Sequence, residues 1–249
     1  MGATAALEVR GLVKRYRAWP ARARTALHGI ELQLEQGERL ALVGPNGSGK
    51  STLLACLAGV ERPSAGQVRV LGLPVGTRAA RRRIGYAPDR CPFPPELSPR
   101  AVLDLLGALA GLARSERRRA LEAALDRVGL AHEARHALGG FSAGMRRRFV
   151  LAQALFLGPE LVLLDEPTAG LDAEGYVVLD ECLRELAARG ATLVYASHEV
   201  AELRASCRRA ALLLGGRLVA QGTTEELLAD RSRLLALYRA LGPASRGDG

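Results

Sequence analysis

Short apolar runs broken by turn residues set the rhythm of the first third of the chain. Leu7 to Tyr16 and Ile30 to Leu34 alternate apolar with polar side chains. That two-residue period predicts a pair of antiparallel strands, with an Arg- and Ala-rich loop between them. Leu40-Ala41-Leu42-Val43 is continuously apolar and reads as a buried strand, and the apolar-rich run Leu53 to Ala58 reads as a helix. Gln67 to Leu71, after the turn Pro63-Ser64-Ala65-Gly66, is a further strand. Ile84-Gly85-Tyr86-Ala87 is a short buried one, and Arg81-Arg82-Arg83 before it reads as a solvated helix end.

The texture then changes. Pro88, Pro92, Pro94, Pro95 and Pro99 crowd one segment, which excludes helix or central strand and predicts a connector. Ser98-Pro99 starts a helix with a capping hydroxyl and a proline in the first turn. Residues 99 to about 157 hold no convincing strand, so a helical lobe, with a basic solvated helix at Arg114 to Arg127, interrupts the strand-rich core. The core resumes with the apolar strand Leu161 to Asp165-Glu166. Tyr176, Leu179, Leu183 and Leu186 recur at helical spacing and predict one buried face. Thr192 to Ala196 is a strand, Ala210 to Leu214 and Arg217 to Ala220 form a pair hinged on Gly215-Gly216, and closing helices follow. Strand–helix alternation predicts an α/β fold whose largely parallel sheet has helices on both faces, with an antiparallel β subdomain and an inserted helical subdomain. The expected organisation is one domain over 1–242, with the core at 1–88 and 158–242, the helical subdomain at 89–157, and a disordered tail at 243–249.

Composition narrows the partners. A net charge of +9 invites a nucleic-acid or acidic-membrane reading, yet Lys14 and Lys50 are the only lysines among 35 basic residues. Such arginine dominance reflects coding bias and is discounted; it still permits docking near anionic headgroups. Cys56, Cys91, Cys182 and Cys207 lack C-x-x-C spacing, so neither a metal site nor a disulfide framework is expected. The N-terminus carries no basic-then-apolar signal segment. No stretch reaches the ~18 apolar residues of a membrane span, and the densest, Val102 to Ala113, carries Asp104. Any service to a membrane is expected through a partner.

Within this frame Gly44-Pro45-Asn46-Gly47-Ser48-Gly49-Lys50-Ser51-Thr52 fits G-x-x-x-x-G-K-[ST], the phosphate-binding loop of ATP- and GTP-hydrolysing proteins. Gly44, Gly47 and Gly49 let backbone N–H groups turn inward, and the helix N-terminus adds partial positive charge. Lys50 is suited to the β- and γ-phosphates and the Ser51 hydroxyl to a Mg²⁺ position. An ordinary Gly-rich turn is the other reading; the strand before and helix after favour the nucleotide loop. Downstream, Asp165 and Glu166 sit at the C-terminal end of their strand, where α/β sheets bind ligands. An adjacent strand in the same sheet would bring them beside the phosphate loop. There Asp165 suits a Mg²⁺ contact and Glu166 a general base that polarises the attacking water. Alone they would be two solvated acids; with the upstream loop they complete a site.

With these motifs the chain resembles the nucleotide-binding subunit of an ABC transporter over roughly residues 7 to 230, built on a P-loop NTPase core. Where that family has Leu-Ser-Gly-Gly-Gln, this chain has Phe141-Ser142-Ala143-Gly144-Met145. Ser142 supplies a hydroxyl and Gly144 an unobstructed N–H at the start of a helix running from Met145 toward Phe156, although Ser142 could equally be a simple N-cap. The resemblance implies that Ser142, Ala143 and Gly144 meet the γ-phosphate held by an opposite subunit. Ala169-Gly170-Leu171-Asp172 resembles the loop through which subunits sense each other, with Asp172 otherwise just an N-cap. His198 matches the histidine that contacts the γ-phosphate and orients the water. Tyr16 matches the aromatic that stacks on adenine, with Trp19 a competing candidate.

One departure stands out. The family commonly has glutamine after Gly-Tyr-x-Pro; here Gly85-Tyr86-Ala87-Pro88 is followed by Asp89, a shorter arm that keeps a metal-compatible oxygen. Asp89 and Met145 together resemble a subset that includes many exporters. The resemblance implies an ATPase that uses ATP and Mg²⁺, pairs with a second copy and powers a separate transmembrane permease from the cytoplasmic face, with no nucleic-acid partner. Its rival is a soluble ABC ATPase working on nucleic acid or ribosomes. Such proteins usually carry paired domains or coiled-coil insertions, which this chain lacks.

Overall fold

The alternating runs at the start of the chain pair as expected. In the computed structural model, which describes residues 5–17 and 24–229, β1 (Ala5–Tyr16) lies antiparallel to β2 (Arg24–Glu35), which begins earlier than its apolar pattern suggested. After β3 (Arg39–Val43) come the phosphate-loop helix α1 (Lys50–Leu57), β4 (Ala65–Val70) and the short β5 (Leu73–Pro74). The first sheet has the order β2-β1-β4-β5 and is antiparallel throughout. A single turn of helix, α2 (Arg78–Arg81), capped by Thr77, ends in the arginine run before β6 (Ile84–Ala87).

The proline-rich connector then leads into α3 (Pro99–Leu109). Ser98 Oγ accepts a hydrogen bond from Ala101 N, and Pro99 opens the helix. α4 (Arg114–Arg127) shows solvent its arginines and buries Leu121, Ala124 and Leu125. α5 (Ala143–Leu155) starts two residues earlier than expected, because Ser142 caps it. The chain returns to the core through β7 (Leu161–Asp165), α6 (Ala173–Ala188), β8 (Thr192–Ala196) and α7 (Val200–Ser206). The described residues end in the hairpin β9 (Arg209–Leu214) and β10 (Arg217–Thr223) and the one-turn α8 (Thr224–Leu227). Trp19 and the tail after Gly242 lie outside the described residues. No helix among the described residues is long and apolar enough to cross a membrane, and the four cysteines are free thiols.

The second sheet has the order β10-β9-β3-β8-β7-β6, parallel except for β10. It explains the unbroken apolar runs. Val162 and Leu164 of β7 enter the cluster beneath the helical lobe, whereas Leu161 and Leu163 enter the one shared with α1 and the antiparallel sheet. A strand covered on both faces cannot alternate. Each such side chain contributes about 1.5–3 kcal/mol on burial.

Two expectations need correction. Tyr176 is 45% exposed; the buried stripe of α6 is Gly175, Val178, Leu179, Cys182, Leu183 and Leu186. At about 100° per residue, Tyr176 sits roughly a quarter turn from the middle of that stripe. The acidic strand is also not adjacent to the phosphate-loop strand, since β8 lies between β3 and β7. Register does the alignment instead: Leu42 faces Ala196, and Ala196 faces Asp165, so the C-terminal ends of three neighbouring parallel strands line up.

Candidate nucleotide site

The loop leaving β3 closes tightly on β9. A Cβ on Gly44 would lie 2.3 Å from Leu213 O and 2.6 Å from Ser48 Oγ, so only glycine fits there. Gly49, at φ 107°, turns the chain through the left-handed region directly into α1. Lys50 therefore sits at the helix start with 6% exposure, its Nζ donating to Gly44 O at 2.8 Å. In front of the loop lies a cavity of about 530 Å³ lined by Tyr16, Pro45 to Thr52, Asp89, Glu166 and His198, among others.

Asp165 lies behind this cavity, 1% exposed. Burial pushes its carboxyl above the ordinary carboxylate range, against the opposing hydrogen bond from Ser51. Its Oδ1 is buried with no hydrogen-bond partner among the described residues. An orphaned carboxylate oxygen beside a serine hydroxyl is a donor set that a hard divalent cation satisfies. The residues present thus fit Mg²⁺.

Glu166 has φ 48°, the left-handed region, which costs a non-glycine residue about 1–2 kcal/mol. The turn is held by Glu166 N donating to Ala196 O at 2.8 Å. It folds the carboxylate back into the cavity, Oε1 lying 3.6 Å from Lys50 Nζ and Oε2 2.8 Å from His198 Nδ1. Strain at such a position is a common mark of a working residue.

The other sequence-predicted residues fall in two places. Tyr16 lines the cavity, its ring 4.8 Å from Lys14 Nζ, which is itself anchored by Glu61 Oε2 at 2.5 Å and Arg62 O at 3.0 Å. Ser142, Ala143, Gly144 and Asp172 are absent from the cavity lining and form a separate knot. Ser142 Oγ accepts from Met145 N at 3.1 Å, and Asp172 Oδ1 accepts from Gly175 N at 2.8 Å, so each caps its helix. A Cβ on Gly144 would stand 3.4 Å from Gly170 O; the two motifs back onto each other.

Sequence reasoning missed Arg147. Arg146-Arg147-Arg148 looks like a solvated run, yet Arg147 and Arg148 are 9% and 7% exposed. Arg147 donates to Asp89 Oδ1, Pro88 O, Ala169 O and Asp165 O. The available signal was helical phase: Arg147 and Arg148 follow Gly144 by three and four positions and so share its inward face. Gln153, further along α5, donates to Tyr86 O at 2.6 Å.

Residues 27–169 match the family described as ABC transporter. The chain belongs to that family. This ABC cassette is 37% identical over 202 residues to the Nod factor export ATP-binding protein I of Burkholderia thailandensis, covering 80% of this chain and 66% of the relative. It is 34% identical over 206 residues to the linearmycin resistance ATP-binding protein of Bacillus subtilis, covering 82% and 66%. A Synechocystis ABC transporter ATP-binding protein is 38% identical over 212 residues, 84% of this chain and 60% of that one. The chain thus spans 60% to 66% of these relatives' own lengths. Among solved structures, the ATP-binding subunit of an ABC transporter superposes with a TM-score of 0.81 at 29% identity, covering 95% and 99% of the two chains. A dimeric ATP-binding cassette in a post-hydrolysis state with ADP and Pi superposes at 0.79 with 25% identity, covering 88% and 98%. The parallel sheet, antiparallel sheet and helical insertion are therefore those of an ABC-type P-loop NTPase cassette.

Proposed function

We propose that this chain is the ATP-hydrolysing subunit of an export-type ABC transporter, working as a pair on the cytoplasmic face beneath a separate transmembrane permease. The observation that carries the reading is the convergence of Lys50, Ser51, Asp165, Glu166 and His198 at the C-terminal ends of β3, β7 and β8. Lys50 and the loop N–H groups would hold the phosphates. Ser51 and Asp165 would hold Mg²⁺, which when bound neutralises phosphate charge. Phosphate arriving at Lys50 competes with Glu166 for its ammonium. The released carboxylate, still held by His198, can then take a proton from water. Tyr16 would stack on adenine. Export is supported by the two named export and resistance relatives and by Asp89 and Met145.

The separation of Ser142, Ala143, Gly144 and Asp172 from the chain's own cavity supports a shared site, in which these residues close over ATP held by a second copy. Closure on ATP and release after hydrolysis would pass through the helical subdomain, residues 89–157, to the permease. The test is Mg²⁺-dependent phosphate release by the purified chain, together with capture of a membrane protein by the tagged chain from solubilised membranes. Both are expected. A chain without ATPase activity overturns the enzymatic reading, and an active chain that stays free of membranes overturns the transporter reading.

A further inference from the structure

We infer that Arg147 is a positioning residue: through its ion pair with Asp89 it sets where the N-terminal end of α5, and with it Ser142 and Gly144, is presented to a second copy. The inference rests on the shared-site reading proposed above. One guanidinium reaches three separate segments. Nη2 lies 2.9 Å from Asp89 Oδ1 and Nη1 3.1 Å from Pro88 O, both in the connector. Nη1 also reaches Asp165 O at 3.4 Å, at the end of β7, and Nε reaches Ala169 O at 3.2 Å, in the loop toward Asp172. A planar fork of five donors can hold such a junction, whereas a lysine ammonium cannot match its geometry.

The charge is what makes the junction responsive. A guanidinium 9% exposed needs a counter-charge, and Asp89 is its one carboxylate partner among the described residues. Asp89 is half-exposed and lines the nucleotide cavity on one side and the crevice beside Ala143 and Arg146 on the other. Whatever enters that cavity therefore acts electrostatically on the ion pair. Arg147 follows Gly144 by three residues, just under one helical turn, so displacing its anchor displaces Ser142 and Gly144. The departure at Asp89 and the buried arginine are two halves of one device: an acid in the connector and a cation on the signature helix.

The experiment uses the full chain carrying Glu166→Gln, which retains ATP, with ATP-driven dimerisation followed by sedimentation at saturating ATP. Asp89→Asn and Arg147→Gln should each raise the protein concentration at half-dimerisation by roughly tenfold or more, and the double variant should add little, as coupled residues do. Arg147→Lys, which keeps a cation opposite Asp89 but loses the fork to the three carbonyls, should recover only part of the loss. ATP affinity of the Arg147 variants, measured with a fluorescent ATP analogue on dilute protein, should stay within about threefold of the parent, a shift below 1 kcal/mol. Half-dimerisation unchanged in Asp89→Asn, or effects that multiply in the double variant, overturns the inference. If Arg147→Gln fails to fold, Asp89→Asn decides, since that site is half-exposed. If the Glu166→Gln parent does not dimerise with ATP, the shared-site reading itself fails and takes this inference with it.

Discussion

His198 Nδ1 lies 2.8 Å from Glu166 Oε2, and the other carboxylate oxygen lies 3.6 Å from Lys50. An ionised carboxylate only accepts, so Nδ1 carries the proton in this pair. The imidazole thus orients the carboxylate. Glu166→Gln is expected to keep ATP binding and lower turnover by ~10²–10⁴-fold, the usual worth of a positioned base. His198→Ala leaves the base chemically intact but free to swing, and should cost about 10²-fold in kcat. Single-turnover hydrolysis checks both, and near-normal turnover in Glu166→Gln removes it from the base role.

The separation of the signature knot from the phosphate cavity makes a second expectation. A chain with Ser142→Arg, mixed with one carrying Lys50→Ala, should regain at most one working site per pair. Specific activity of the unmodified chain should rise with its concentration. A verified monomer whose specific activity is independent of concentration would count against the shared site.

How far the sequence reveals this follows from the range of each interaction. The phosphate loop was legible because its chemistry is local: glycines, lysine and serine must follow one another in a fixed order. The acidic pair was legible as a strand end, but its distance from the loop was not, since the insertion of β8 between β3 and β7 is a long-range choice. Tyr176 was misplaced because a helical stripe has edges that periodicity alone does not resolve. Arg147 was hidden because an arginine run has the same appearance on a solvated face and at a buried junction. Its acceptors, Asp89 and three carbonyls, lie far away in sequence.

A partly buried carboxyl beside the site should give the folded protein a pH signature. Tyr195 OH donates to Glu202 Oε2 at 3.1 Å, linking β8 to α7. Burial raises the Glu202 carboxyl above its usual 4.5, outweighing the hydrogen bonds from Tyr195 and Thr168. As pH rises through the window from the ordinary value up to the raised one, the unfolded chain loses this proton first. The folded state then binds more protons, so this group's contribution to stability falls with rising pH. Glu202→Gln, which can still accept from Tyr195, should remove that slope and unfold at a higher urea concentration at pH 7 than the parent. Parallel stability–pH curves for the two proteins would show that Glu202 has no part in the slope.

The aromatic contact to the base gives the last expectation. Tyr16 closes one side of the cavity, and its ring is held by Lys14, a buried cation locked to Glu61 and Arg62 in the turn that follows α1. The ring is thereby tied to the turn that leaves the phosphate-loop helix, whose Glu61 N donates back to Ala55 O, and this relates the base platform to the phosphate cradle. Stacking on such a platform contributes ~1–3 kcal/mol per base, so Tyr16→Ala should weaken ATP binding by roughly 5- to 150-fold while Tyr16→Phe stays near the parent. Lys14→Met should produce a smaller loss, since it frees the ring without removing it. Trp19 is the rival aromatic, and the pair of single variants separates them. Equilibrium binding that drops in Trp19→Ala and holds in Tyr16→Ala would transfer the stacking role to the tryptophan, and leave the Lys14–Tyr16 contact as a purely structural tie between β1 and the turn after α1.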